Sequence, residues 1–215
     1  QVLDILARHP STAHFIARKL VIRFVSDSPP PSLVDRAART YLRTDGDIRE
    51  VLRTIITSRE FNSRAAYRAK VKTPFELVAS IFRGMNAIPD TTQQTIQMLA
   101  RLGQPIFGRL TPDGWPDQAA SWMNTGALMN RVNLGARVAT NQVPNITMAA
   151  WKPTNQLLAL SGEKQVDGVI DALLAGDASP ETRDALLAVQ SPPSTLQHVG
   201  ELVAIVIGSS DYQRR

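Results

Sequence analysis

The sequence predicts an all-α fold, an irregular multi-helix bundle carrying two long irregular loops. Three observations predict it. Apolar residues recur at i, i+3, i+4 and i+5 along most of the chain. Helix starts of the capping type recur, with a small polar residue, a proline and an acid in close order. No segment shows the sustained apolar/polar alternation of a half-buried strand.

Taken in order, Val2, Leu3, Ile5 and Leu6 form a short apolar stripe that ends at His9-Pro10. Ser11 is placed to cap the next helix, which carries Ile16, Leu20, Val21, Phe24 and Val25. Asp27 and Pro29-Pro30-Pro31 stop it, because proline has no amide hydrogen and clashes with the preceding turn. Ser32, with Asp35 three residues on, opens a helix presenting Leu33, Ala37, Tyr41 and Leu42. Asp45-Gly46 breaks it. Asp47 with Glu50 starts a helix that buries Ile48, Val51, Leu52, Ile55 and Ile56.

The clearest start is Thr73-Pro74-Phe75-Glu76: a cap, a proline at the first helical position and a glutamate at the third. Leu77, Val78, Ile81, Phe82 and Met85 follow at helical spacing. The motif reads as structural: Thr73→Ala should cost about 0.5–2 kcal/mol, and Phe75→Ala roughly 3–5 kcal/mol if its ring is buried. A further helix is expected over Thr92–Leu102. Periodicity then fails from Gln104 to Trp122, where turn formers sit beside large aromatics, and such long loops are often functional. Helices resume at Thr125–Thr140, and a second irregular stretch covers Asn141–Pro153. The tail offers Val166–Leu174, a start at Ser179-Pro180-Glu181, and a last helix opened by Ser194-Thr195-Leu196-Gln197. One internal echo is visible. Ile55–Arg64 and Val206–Arg215 share an apolar helix end, a small residue, an acid, an aromatic and a basic stop.

The 215 residues, 43% hydrophobic and 20% charged, fill a core without metals or disulfides. With no cysteine, thiolate nucleophiles and cysteine-ligated metal sites are excluded. No apolar run approaches the roughly 20 residues of a membrane-spanning helix. The charge is uneven: residues 1–72 hold 14 Lys+Arg against 7 Asp+Glu, and residues 73–215 hold 10 against 12. The first third is therefore expected to face something acidic. The opening at Gln1, directly in a helical pattern, reads as a cut in a longer chain.

Several stretches resemble a large bacterial family catalogued as domain of unknown function 1800. They are His9–Leu20, Lys70–Val78, Leu102–Phe107, Pro112–Pro116 and the ending Gly208–Arg215, spread in order over most of the chain. The resemblance implies a chain about half the usual length, its C-terminal half. The whole of 1–215 is expected to be one helical domain of a larger parent, with 1–103 and 104–215 as the alternative subdivision. The resemblance also implies export to the periplasm or beyond, and as partners the missing N-terminal half and a sulfatase-like protein. It carries over no catalytic residue and no cofactor.

The candidate sites follow from the residues themselves. His9 and His14 are not at the i, i+4 spacing of a metal pair, so no metal is expected, and His198 reads as a packed residue. Asp113 and Asp117 flank Trp115, with Trp122 close by; two carboxylates near aromatics would suit sugar binding or hydrolysis. The same residues also suit ordinary turn chemistry and core plugging. Arg59, Arg64, Arg68, Lys70 and Lys72, with Phe61 and Tyr67 interleaved, form a basic strip. It suits an acidic protein partner better than nucleic acid, because no nucleic-acid-binding module is visible. The primary expectation is a scaffold or interaction domain. The rivals are a polysaccharide-directed hydrolase with its site in the 104–122 loop or between the parent's halves, and nucleic-acid binding through the basic third.

Overall fold

A computed structural model describes residues 1–89 and 93–215. Among these residues the fold is all-α, with twelve α-helices and no strand. No helix is long and apolar enough to cross a membrane. The chain divides into two compact units: 1–71 with 117–119 and Arg215, and 72–116 with 120–214. The first unit gives way to the second at Val71/Lys72. The physical reason is local: the second unit's first helix begins at the Thr73 cap, and its apolar face joins that unit's core.

In the first unit, α1 (Val2–Arg8) leads into α2 (Pro10–Phe24), α3 (Pro31–Arg43) and α4 (Ile48–Ile56). Its core is small-residue rich, which lets α2 and α3 approach closely: Ala13, Ala17 and Val21 meet Leu33, Ala37, Val51 and Ile55. The apolar stripe of α1 stays outside, with no residue of that helix buried. Two expected caps are corrected. Ser11 does not cap α2. His9 does, its Nδ1 accepting from the Ser11 N–H at 3.1 Å. Ser32 does not cap α3, because Pro30 and Pro31 take the start, and Asp35 turns to His14 Nε2 at 3.2 Å. Asp47 caps α4 as expected, accepting from the Arg49 and Glu50 N–H groups.

In the second unit, α5 (Pro74–Gly84) opens with a complete capping box between Thr73 and Glu76. Pro74 is buried, but the Phe75 ring is 55% exposed, so the condition for a core role of that ring is not met. Next come α6 (Gln93–Arg101) and α7 (Thr125–Ala139); the expected start at Thr92 lies outside the described residues. The unit is completed by α8 (Thr154–Leu158), α9 (Glu163–Leu174), α10 (Pro180–Leu187), α11 (Leu196–Gly208) and α12 (Ser210–Gln213). α11 is the axis. Its Val199, Leu202, Val203, Val206 and Ile207 are buried, and α7 packs along it. Gly135 permits that close crossing, since a Cβ there would meet the Ala204 carbonyl at 2.7 Å. Trp151 and Trp122 plug this unit, 2% and 4% exposed, each indole N–H donating to a backbone carbonyl.

Candidate binding surfaces

The basic strip does not survive as one surface. Lys70 is 2% exposed, and its ammonium is held by the Asp27 carboxylate and the Asp117 carbonyl. Asp27 also accepts from the Ala119 N–H at 2.6 Å, and Asp117 accepts from Arg23 at 2.7 Å. Lys70 is therefore a buried bolt that fixes residues 117–119 within the first unit; burying an ammonium costs several kcal/mol unless it is paired in this way. Lys72 belongs to the second unit, its ammonium 4.1 Å over the Tyr212 ring. Arg59, Arg64 and Arg68 remain as a basic surface. Arg64 and Arg68 line a cleft of about 610 Å³ with Phe24, Phe61, Tyr67 and Arg215. Arg68 holds φ +50°, an uncommon conformation for a non-glycine residue, and its guanidinium lies 5.4 Å from the Tyr67 ring.

The loop around Trp115 forms a second cleft, of about 500 Å³, lined by Phe75, Gln104, Pro105, Ile106, Phe107, Arg109 and Trp115. Gln104 anchors it to the helix start, its Oε1 accepting from the Phe75 N–H at 2.8 Å. Phe107 is fully exposed at φ +56°, and a bulky side chain held that way marks local strain. Trp115 is half-buried, 5.9 Å from Trp122 between ring centroids, with the Arg109 guanidinium 5.6 Å from its own ring. Its indole N–H has no hydrogen-bond partner among the described residues, whereas that of Trp122 donates to the Pro116 carbonyl at 3.0 Å.

The paired-carboxylate expectation fares differently at its two members. Asp113 accepts from the Thr111 hydroxyl and, through both oxygens, from Arg109. These bonds, Thr111's first, hold its carboxyl below the usual range. Asp117 belongs to the other unit and is tied to Arg23. Asp113 is thus held as a carboxylate, and Asp117 is committed to the Arg23 ion pair.

Two features escaped sequence reading. Arg131 on α7 is 1% exposed, donating to Gln213 Oε1 at 2.7 Å and the Lys72 carbonyl at 2.8 Å, with its Nε unpartnered. Desolvation lowers its pKa. Its place on the apolar face of α7, one turn before Leu134 and Gly135 and two before Val138, was the available signal. Ser191 Oγ lies 2.9 Å from Nδ1 of His198, which is packed at 7% exposure. Glu201, one turn on, accepts from Gln197 Nε2 at 2.9 Å, and its carboxyl is held low by Gln197, then Ser191, with the charge of His198 adding to the shift.

Two helical units joined in one chain, each carrying an aromatic-walled cleft, define an all-α protein. The chain belongs to the family described as "Protein of unknown function (DUF1800)", whose model matches residues 1–214. No curated protein and no solved structure matches it.

Proposed function

We propose that the chain is a helical interaction domain of a larger exported protein, and that it binds an extended, proline-bearing segment of a protein partner beside Trp115. The carrying observation is the cleft itself. Phe107 stands fully exposed on a strained backbone and lines it together with Phe75, at a helix start fixed by its capping box, and Trp115, whose indole N–H has no partner among the described residues. Aromatic-walled grooves with an indole donor suit polyproline-type segments, which lose little entropy on docking. The segment is assigned to the rest of the parent chain or to a sulfatase-like partner outside the cytoplasm.

The hydrolase reading is the weaker one. Glycoside cleavage needs one carboxyl kept protonated as an acid, whereas Asp113 is pushed the other way and Asp117 is committed to Arg23. The test is an array of proline-containing peptides, with hits quantified by titration. Phe107→Ala and Trp115→Ala should each weaken binding about tenfold or more, roughly 1.4 kcal/mol, with unchanged melting for Phe107→Ala. An array with no saturable hit, or hits indifferent to both substitutions, would sink the proposal.

A further inference from the structure

α3 carries Arg36, Arg39 and Arg43 at i, i+3 and i+7, a spacing that aligns three guanidiniums in one stripe. With Leu42 they rim a hollow of about 810 Å³ over Thr40 and Thr54. The floor has little polar capacity left. The two threonine hydroxyls face each other at 3.1 Å, and that of Thr54 donates to the Glu50 carbonyl at 2.9 Å. The ridge is cationic, with Leu42 as its exposed apolar side chain.

The neighbouring carboxylates are already committed. Asp35 goes to His14, Glu50 to Arg53, and Glu60 to Arg36. Arg39 and Arg43 form no ion pair or hydrogen bond with any described residue. Like charges at i, i+4 destabilise an isolated helix by a few tenths of a kcal/mol. The arrangement therefore weakens α3 until an anion meets it.

We propose that this ridge docks an acidic amphipathic helix of a protein partner. A helix rises about 1.5 Å per residue, so the arginines stand on rungs roughly 4.5 and 6 Å apart along the axis. Carboxylates spaced i, i+3, i+7 on a helix lying along α3 reproduce those rungs; those at Arg39 and Arg43 meet open planar forks, while the one at Arg36 joins a guanidinium already bonded to Glu60. The partner's apolar stripe then rests on the exposed Leu42 side chain. Nucleic acid is the poorer fit, because the hollow offers no aromatic ring for stacking. The inference rests on the reading of the chain as an interaction domain but uses residues of the first unit alone.

The probe is a synthetic helical peptide with glutamates at i, i+3 and i+7 beside a leucine stripe, titrated against the whole chain by anisotropy at low and physiological salt. Saturable binding is expected, weakened at least tenfold by Arg39→Ala/Arg43→Ala and abolished by Arg39→Glu/Arg43→Glu, with melting unchanged or raised. Phe107→Ala should leave it intact, which separates this test from that of the proline-segment groove. Three results would each overturn the proposal: equal binding of a scrambled peptide of the same composition, indifference to the arginine substitutions, or tighter binding of duplex DNA than of the peptide.

Discussion

The turn at Ile55–Asn62 in the first unit and the turn at Val206–Gln213 in the second are built on the same serine-centred bonds. Ser58 donates to the Ile55 carbonyl at 2.7 Å and accepts from the Phe61 N–H at 3.1 Å. Ser209 donates to the Val206 carbonyl at 2.7 Å and accepts from the Tyr212 N–H at 3.3 Å. The amides follow suit: Asn62 donates to the Ile56 carbonyl at 2.9 Å, and Gln213 to the Ile207 carbonyl at 2.7 Å. Even the acids do matching work on proline-started helices. Glu60 holds Ser32 and Arg36 at the front of α3, and Asp211 accepts from the Ser179 N–H that precedes α10.

The aromatics part company. Tyr212 is 3% exposed and seals the second unit's core, while Phe61 is half-buried and walls the cleft beside Tyr67 and Arg64. A local serine–aromatic code makes the turn, and what packs over it decides whether the turn closes a core or opens a binding surface.

The largest test of that contrast is truncation of the two rings. Tyr212→Ala should destabilise the second unit by roughly 3–5 kcal/mol, the usual cost of removing a buried aromatic. Phe61→Ala, leaving one face to solvent, should cost about 1 kcal/mol. The three tryptophans all lie in the second unit, so indole fluorescence follows that unit while far-ultraviolet dichroism follows both. Comparable losses for the two variants would mean that Phe61 is a core ring and the cleft incidental.

Much of this was legible in the sequence and some was not, for a physical reason. The all-α class, the capping box at Thr73 and the echo between the turns are set by residues a few positions apart. Lys70 read as a surface cation because its partners, Asp27 and Asp117, are 43 and 47 positions away. Asp113 and Asp117, four positions apart, went to different units for the same reason. Phe75 sits inside a perfect cap yet points outward, because the cap fixes backbone and not burial. The aromatic loop could be named as a candidate from composition, but the strained placement of Phe107 is a backbone property that no spacing encodes.

Titration sharpens the comparison next. Burial pushes the Tyr212 phenol up to about 12, opposed in part by the Ser80 hydroxyl. A phenol whose folded pKa exceeds its unfolded value of about 10 keeps its full contribution below pH 10. That contribution falls as pH rises towards 12, a loss of about 2–3 kcal/mol. Tyr212→Phe should flatten this alkaline limb in fluorescence-detected unfolding. The first turn has the opposite limb. Arg36, bonded to Glu60, holds that carboxyl below its ordinary value of 4.5. Its contribution is therefore complete above about pH 4.5 and is lost as pH falls through the folded value. Arg36→Ala should move acid unfolding of the first unit to higher pH, and an unchanged acid limb would count against the Glu60 clamp.

The finest test asks whether the shared code is energetically shared. Ser58→Ala and Ser209→Ala each remove one hydroxyl that both donates to a carbonyl and accepts from an amide three residues on, in the manner of a helix cap. Caps of this kind are worth about 1 kcal/mol, so both substitutions should cost that much, detected by dichroism for the first and fluorescence for the second. The two turns have no side-chain partner in common, so the double variant should be additive within about 0.5 kcal/mol. A loss at Ser209 exceeding that at Ser58 by more than about 1 kcal/mol would show the buried tyrosine leaning on its serine, with the aromatic and the hydroxyl acting as one unit. Equal losses would leave the turn as a module of fixed strength, and the whole difference between a sealed core and an open cleft would then reside in the ring and its surroundings.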